Sequence, residues 1–347
     1  MSIVKVAVSA EALRNPTADA RIEKLRYGIL ETLLKDLVHN GVIAVDSQGL
    51  IVEQMYKNAR DWPGSYRTRL MELLKRLRES SRFFKTHGGY LESARCVLDG
   101  CRHSTRIAIG TKLSALLLAD DCTTCTALAL STSEIVALSD YPSSALASHL
   151  QSCRAFRLQS GQWSKSEFEE RFLRPLLSTA KHVKIFDRYF GRTIYSRESD
   201  SVSLRPSYTE SLEWFFDIFV QECSKRNGVF EIYCGFEPDG KRPEILRSVK
   251  KHFEEWRLEL NRKFNYPLKV YIKSEKPGAQ MPHARYLITD QVGVLVEAGF
   301  DLFLPDGEMR ARNLRPNIDA RPIRDVEISI CADRHKLETE VRRLPDL

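Results

Sequence analysis

The chain has 347 residues, 43% of them hydrophobic and 29% charged. That excludes both a single small domain and a disordered chain. The formal net charge of +7 fits acidic partners, nucleic acid foremost, and fits a mixed solvated surface equally well. No apolar run approaches the roughly 18 residues of a membrane span. The start MSIVKVAVSA lacks a basic segment followed by a long apolar core, so a cytoplasmic protein with reduced thiols and no membrane partner is expected. Of the eight cysteines, Cys122 and Cys125 form a C-x-x-C without a second close pair. They read as core or helix-face residues rather than as a zinc site.

In chain order, residues 3–10 alternate as a strand, and residues 20–41 carry apolar positions at three- and four-residue spacing, a helix that Gly41 stops. Residues 42–59 read as a strand, a turn at Asp46-Ser47-Gln48-Gly49, then a strand or helix start. Residues 66–84 form a strongly basic amphipathic helix, and residues 111–141 read as a helix followed by a short strand. Strands alternating with helices predict an α/β fold on a parallel sheet. The polar stretch 154–168 marks a boundary, giving domains 1–153 and 154–347. The second half reads as a helix at 165–180, a strand at 182–190 and helices at 208–226 and 243–265. Its further strands lie at 229–236, 268–274, 282–290, 292–300 and 325–331, before a short C-terminal helix.

The stretch PHARYLITD, residues 282–290, carries the most chemistry. On a strand His283 and Arg285 share a face, and Asp290 joins them only if the chain turns after Ile288. A histidine can attack phosphorus or relay a proton, a cation can neutralise phosphate oxygens, and a carboxylate can orient the imidazole.

The pattern H-x-R-x-x-x-x-D resembles the H-x-K-x-x-x-x-D signature of the phospholipase D superfamily, with Arg285 in place of lysine. FEERFLRPLLSTAKHVKIFDRYFGR and HARYLITDQVGVLVEAGFDLF are similar to two segments of its variant first known as the C-terminal domain of microtubule-interacting-and-trafficking proteins. This resemblance covers most of residues 167–303 and implies an α/β domain with metal-independent phosphodiester chemistry. His283 would be nucleophile or acid/base, Arg285 would hold the phosphate and Asp290 would orient the histidine. Asp187 and Tyr189 would complete the pocket, with Arg188 beside them to bind nucleic acid. The superfamily pairs two such motifs and this chain has one, so a homodimer would supply the second histidine.

Residues 3–141 resemble a PIN domain by the order of their elements. The resemblance implies a parallel-sheet sandwich in which carboxylates bind Mg or Mn. Glu53, Asp120 or Asp121, and Asp140 take the places of acids in that family. Ser9 stands where its first aspartate is usual, and Glu11 is the nearby substitute, while Asp46 reads as a turn residue. Arg67, Arg69, Lys75 and Arg76, with Arg78, Arg82 and Lys85, form either a phosphate-binding face or a solvated one. The two resemblances together imply a nuclease of a prokaryotic antiphage defence or toxin system, with nucleic acid and a partner protein as its partners. The alternative is a catalytically inactive sensor or adaptor that binds a phosphate-bearing ligand, nucleic acid or a partner protein.

Overall fold

The computed structural model describes residues 3–15, 19–86, 113–120, 134–152, 155–223, 227–297, 299–304, 306–311, 321–331 and 334–347. The chain folds as two compact units, Ser2–Arg154 and Ala155–Leu347.

The first unit is built on five parallel strands: β1 (Val4–Val8), β2 (Gly41–Val45), β3 (Phe83–Lys85), β4 (Ala115–Leu118) and β5 (Glu134–Ala137), in the order β3-β2-β1-β4-β5. Its helices are α1 (Ala20–Asn40), α2 (Leu50–Arg60), α3 (Gly64–Glu79) and α4 (Ala145–Ser152). Leu30, Leu33, Leu34 and Leu37 of α1 and Leu70, Leu73, Leu74 and Leu77 of α3 repeat one spacing, and all eight are buried. At roughly 1.5–3 kcal/mol for each fully buried leucine, these two stripes explain why α1 and α3 pack together. Asp46 accepts bonds from the N–H groups of Gln48, Gly49, Leu50 and Ile51 and so caps α2.

Two expectations fail here. Residues 115–118 form a strand, not a helix, because ALLL is buried throughout and shows no amphipathic period. The basic helix ends at Glu79, and Phe83-Phe84 lies on β3, paired with Ile43 and Ala44.

The second unit has a seven-stranded mixed sheet. Its strands are β6 (Ala155–Leu158), β7 (His182–Phe186), β10 (Val229–Phe236), β11 (Leu268–Ser274), β12 (Tyr286–Thr289), β13 (Gly293–Val296) and β14 (Val326–Cys331), in the order β11-β10-β7-β12-β13-β14-β6. A separate hairpin pairs β8 (Tyr195–Ser196) with β9 (Ser201–Val202). Helices are α5 (165–177, with a π turn at Glu169–Leu173), α6 (Arg188–Arg192), α7 (Pro206–Cys223), α8 (Pro243–Phe264), α9 (Asp306–Ala311) and α10 (Arg334–Arg343). Phe216, Phe219 and Phe230 fill the space between α7 and the sheet, and Phe190 of α6 meets Phe253 and Trp256 of α8 edge to face.

β11, β10 and β7 run parallel to one another, whereas β12, β13, β14 and β6 each run antiparallel to their neighbours. The change falls between β7 and β12, where Phe186 pairs with Tyr286. The residues just after β7 therefore stand beside those just before β12. The stretch 154–168 is not all linker, since its residues 155–158 form the edge strand β6.

Candidate functional site

Asp187 follows β7 and starts α6. One carboxylate oxygen accepts from the N–H groups of Tyr189 and Phe190, and the other from Phe300 N–H. These bonds end the strand at Phe186, so residues 187–190 belong to a cap and a helix rather than to the strand expected. Burial pushes the Asp187 carboxyl up to about 6, against the pull of its N–H partners and of Arg285. It has no exposed surface, and its bonds tie Tyr189, Phe190 and Phe300 together.

Arg188, expected to bind nucleic acid, is also buried. Its Nε lies 2.9 Å from Glu275 Oε1, and its Nη1 lies 3.0 Å from Nε2 and 3.4 Å from Nδ1 of His283. Glu275, fully buried, also accepts from Arg192 Nε at 2.9 Å and from Met281 N–H at 2.8 Å. A side chain at Gly235 would bring a Cβ to 2.6 Å from the Glu275 Cδ, so only glycine admits this carboxylate beside β10. Glu275 carried no signal in the sequence: a glutamate before Lys-Pro-Gly reads as a loop residue.

His283 and Arg285 lie just before β12, not on it, so strand alternation does not bring them together. Tyr189 does. Its hydroxyl is 3.1 Å from His283 Nδ1, and the Arg285 guanidinium carbon sits 4.4 Å from its ring centre. Arg285 donates through Nη1 to Glu297 O at 2.8 Å, and its buried Nε has no hydrogen-bond partner among the described residues. His283 is exposed to solvent. Behind the centre, burial first and then the charges of Asp187 and Glu275 raise the Cys234 thiol, so it stays protonated.

Asp290 does not orient His283. Its Oδ1 accepts from the N–H groups of Lys181 and His182 at the far end of β7, with the whole of β12 between it and the histidine. The turn that would carry its side chain to His283 instead closes onto β7.

Among the described residues of the first unit, the expected carboxylates do not gather into a metal site. Ser9 is buried and caps a short 3-10 turn, Ala10–Leu13, which carries Glu11, so the two do not share a strand face. Asp120 Oδ2 is 2.5 Å from Arg26 Nη1, and its Oδ1 accepts from Ser139 N–H at 2.7 Å. Asp140 is exposed, and Glu53 lies on α2, facing a groove shared with Tyr56, Lys57, Met71 and Lys75. Asp121, Cys122 and Cys125 lie outside the described residues. Among the described residues no three His, Cys, Asp or Glu side chains could hold a metal ion together. With Arg26 already neutralising Asp120, the described acids among them do not fit a resident Mg or Mn.

On α3, Arg69 pairs with Glu31 and Glu72, and Lys75 with Glu79, whereas Arg67 and Arg76 are exposed. Arg82 is buried and donates to the carbonyls of Gly41 and His39. Among the described residues no helix is long and apolar enough to cross a membrane. No protein-family model and no curated protein matches the chain.

Proposed function

We propose that the second unit binds a phosphate group of nucleic acid beside His283 and cleaves the phosphodiester without a metal, by the chemistry its phospholipase D resemblance implies. One observation carries this reading. Two guanidiniums, Arg188 and Arg192, converge on one buried carboxylate, Glu275, and the buried Arg188 stands against an exposed histidine. In such a site His283 attacks phosphorus and a sugar oxygen leaves and takes up a proton, water then releasing the phosphate from the ring; or His283 takes the proton of a water that attacks directly. Tyr189 holds the ring through Nδ1, and Arg285 takes a non-bridging oxygen. Two copies of the chain would contribute one histidine each. The joining of this unit to a PIN-like one supports a place in a prokaryotic defence or toxin system.

A second reading, recognition without cleavage, is favoured by Arg188. Its buried guanidinium packs against the imidazole, within 3.4 Å of both ring nitrogens, an arrangement that suits holding an anion beside the ring more than freeing the histidine to attack.

The test is a panel of single- and double-stranded DNA and RNA incubated with Mg²⁺, Mn²⁺ or EDTA, using wild type, His283→Ala and Asp140→Ala. Cleavage that survives EDTA and falls at least about 100-fold in His283→Ala supports the first reading. Full cleavage by His283→Ala overturns it. Binding that depends on His283, without cleavage, moves the function to the second reading.

A further inference from the structure

Arg192 stands one helical turn after Arg188 and shares its partner Glu275, but it faces a different space. That space is a cavity of about 260 Å³ lined by Arg192, Tyr195, Arg197, Phe236, Glu237 and Lys241. Of the three cations there, Arg192 is met by Glu275 and by Glu237, whose Oε2 is 3.8 Å from its Nη2, which leaves Arg197 and Lys241 as the cations offered to a ligand. Arg197 is exposed, and Lys241 is held over the rings of Tyr195, at 5.3 Å, and Phe236, at 5.7 Å. Neither Arg197 nor Lys241 forms an ion pair among the described residues. Cations gathered in a concave site with too few counter-ions match an anion, and the aromatic walls suit a nucleotide better than a bare ion.

Residues four apart on a helix carry their Cβ atoms roughly 5–6 Å from each other. Arg188 and Arg192 therefore present two guanidiniums side by side, one towards His283 and one into the cavity. We propose that the cavity is a second phosphate subsite, which takes the phosphate next along the strand from the one at His283. The inference rests on the reading of His283 as a phosphate centre and narrows its ligand. The substrate class becomes a strand with at least two phosphates in series, and a lone phosphomonoester fills only half of the site.

The experiment compares the affinities of fluorescein-labelled single-stranded DNA and RNA octamers with that of thymidine 5′-monophosphate. The proteins are wild type, the cavity variant Arg197→Ala/Lys241→Ala and the centre variant His283→Ala/Arg285→Ala. Among the described residues Arg197 and Lys241 form no ion pair, so their removal is expected to leave the fold intact, which circular dichroism checks. The expected result is a loss of about tenfold or more in octamer affinity in the cavity variant, the scale of a charge-assisted hydrogen bond. Its ratio of octamer to monophosphate affinity should fall with it. The dependence of log affinity on log salt should flatten by roughly 0.7 for each phosphate that is no longer neutralised. The centre variant should weaken both ligands. Loss in the centre variant alone overturns the second subsite and leaves the first reading standing. Loss in the cavity variant alone overturns the His283 reading and, with it, the pairing of the two subsites. Unchanged binding in both overturns both. Lys241→Glu gives an independent check, because charge reversal should weaken the octamer more than alanine does.

Discussion

Nη1 of Arg188 lies 3.0 Å from Nε2 of His283, so a buried cation stands against the ring of an exposed histidine. Arg188 is itself fixed by Glu275, which makes no bond to the histidine but sets its surroundings. Replacing Glu275 with glutamine keeps the shape and removes the charge. The expected cost is about 3–5 kcal/mol, because two guanidiniums lose their buried partner. Urea denaturation measures it, and the ¹⁵N shifts of the His283 ring should move with it. A loss below about 1 kcal/mol would show that Glu275 does not hold the centre.

Asp187 gives the second unit a distinctive pH response. Its carboxyl rises from 3.8 to about 6 on folding, burial being the main cause. The folded chain thus keeps a proton where the unfolded chain has lost it. The stability this contributes is complete below about pH 4 and is lost as the pH rises through 6. The full swing is roughly 3 kcal/mol. Asp187→Asn should therefore flatten the stability profile between pH 4 and 7, whatever constant loss it also brings. An Asp187 carboxyl titrating near 4 by NMR would refute the account.

Gly299 adopts φ +77°, and a Cβ there would meet Arg285 Nε at 3.0 Å and Asp187 Oδ2 at 3.2 Å. Gly299→Ala adds left-handed strain of about 1–2 kcal/mol and pushes on both side chains. Lower stability together with weaker phosphate binding is expected. A variant with unchanged affinity would separate the turn from the site.

In the first unit, Asp46→Ala should cost about 0.5–2 kcal/mol, as the loss of a helix cap does. Burial opposes ionisation of Asp46, but four backbone N–H bonds outweigh it and hold the carboxyl below its ordinary value. Its stabilisation is present above the unfolded value and disappears as the pH falls through the lower folded one. The gap between wild type and variant should close in acid, and a gap that persists there would show that charge plays no part in the cap.

Asp290→Ala should lose about 1–2 kcal/mol, by leaving Lys181 and His182 N–H groups unpaired, while phosphate affinity at His283 stays as it was. A drop in affinity equal to that of His283→Ala would restore the orienting role the motif suggests.

What the sequence makes legible here follows from how local each signal is. The leucine stripes of α1 and α3 repeat every three or four residues, so both helices can be read directly. The strand 115–118 cannot, since burial on both faces erases the alternation that marks a strand. Asp46 is readable as a turn residue because its bonds reach only five positions ahead. His283, Arg285 and Tyr189 are readable as candidates by residue type, yet their meeting point is not, since an aromatic ring rather than a strand face joins them. Glu275 is invisible for the same reason: its partners lie 87 and 83 positions away. Asp290 misleads because a motif fixes spacing along the chain and leaves the direction of the turn open.

The junction between the parallel and antiparallel halves of the second sheet also sets when the site can exist. Arg188 and His283 are 95 positions apart, and the pairing of β7 with β12 is what closes that loop. Long-range closures of this kind come late in folding, after local helices have formed. A partly folded or truncated chain can thus hold much of its helix and still lack the proposed site. Ligand binding then reports completion of the sheet, where far-ultraviolet circular dichroism reports only its beginnings.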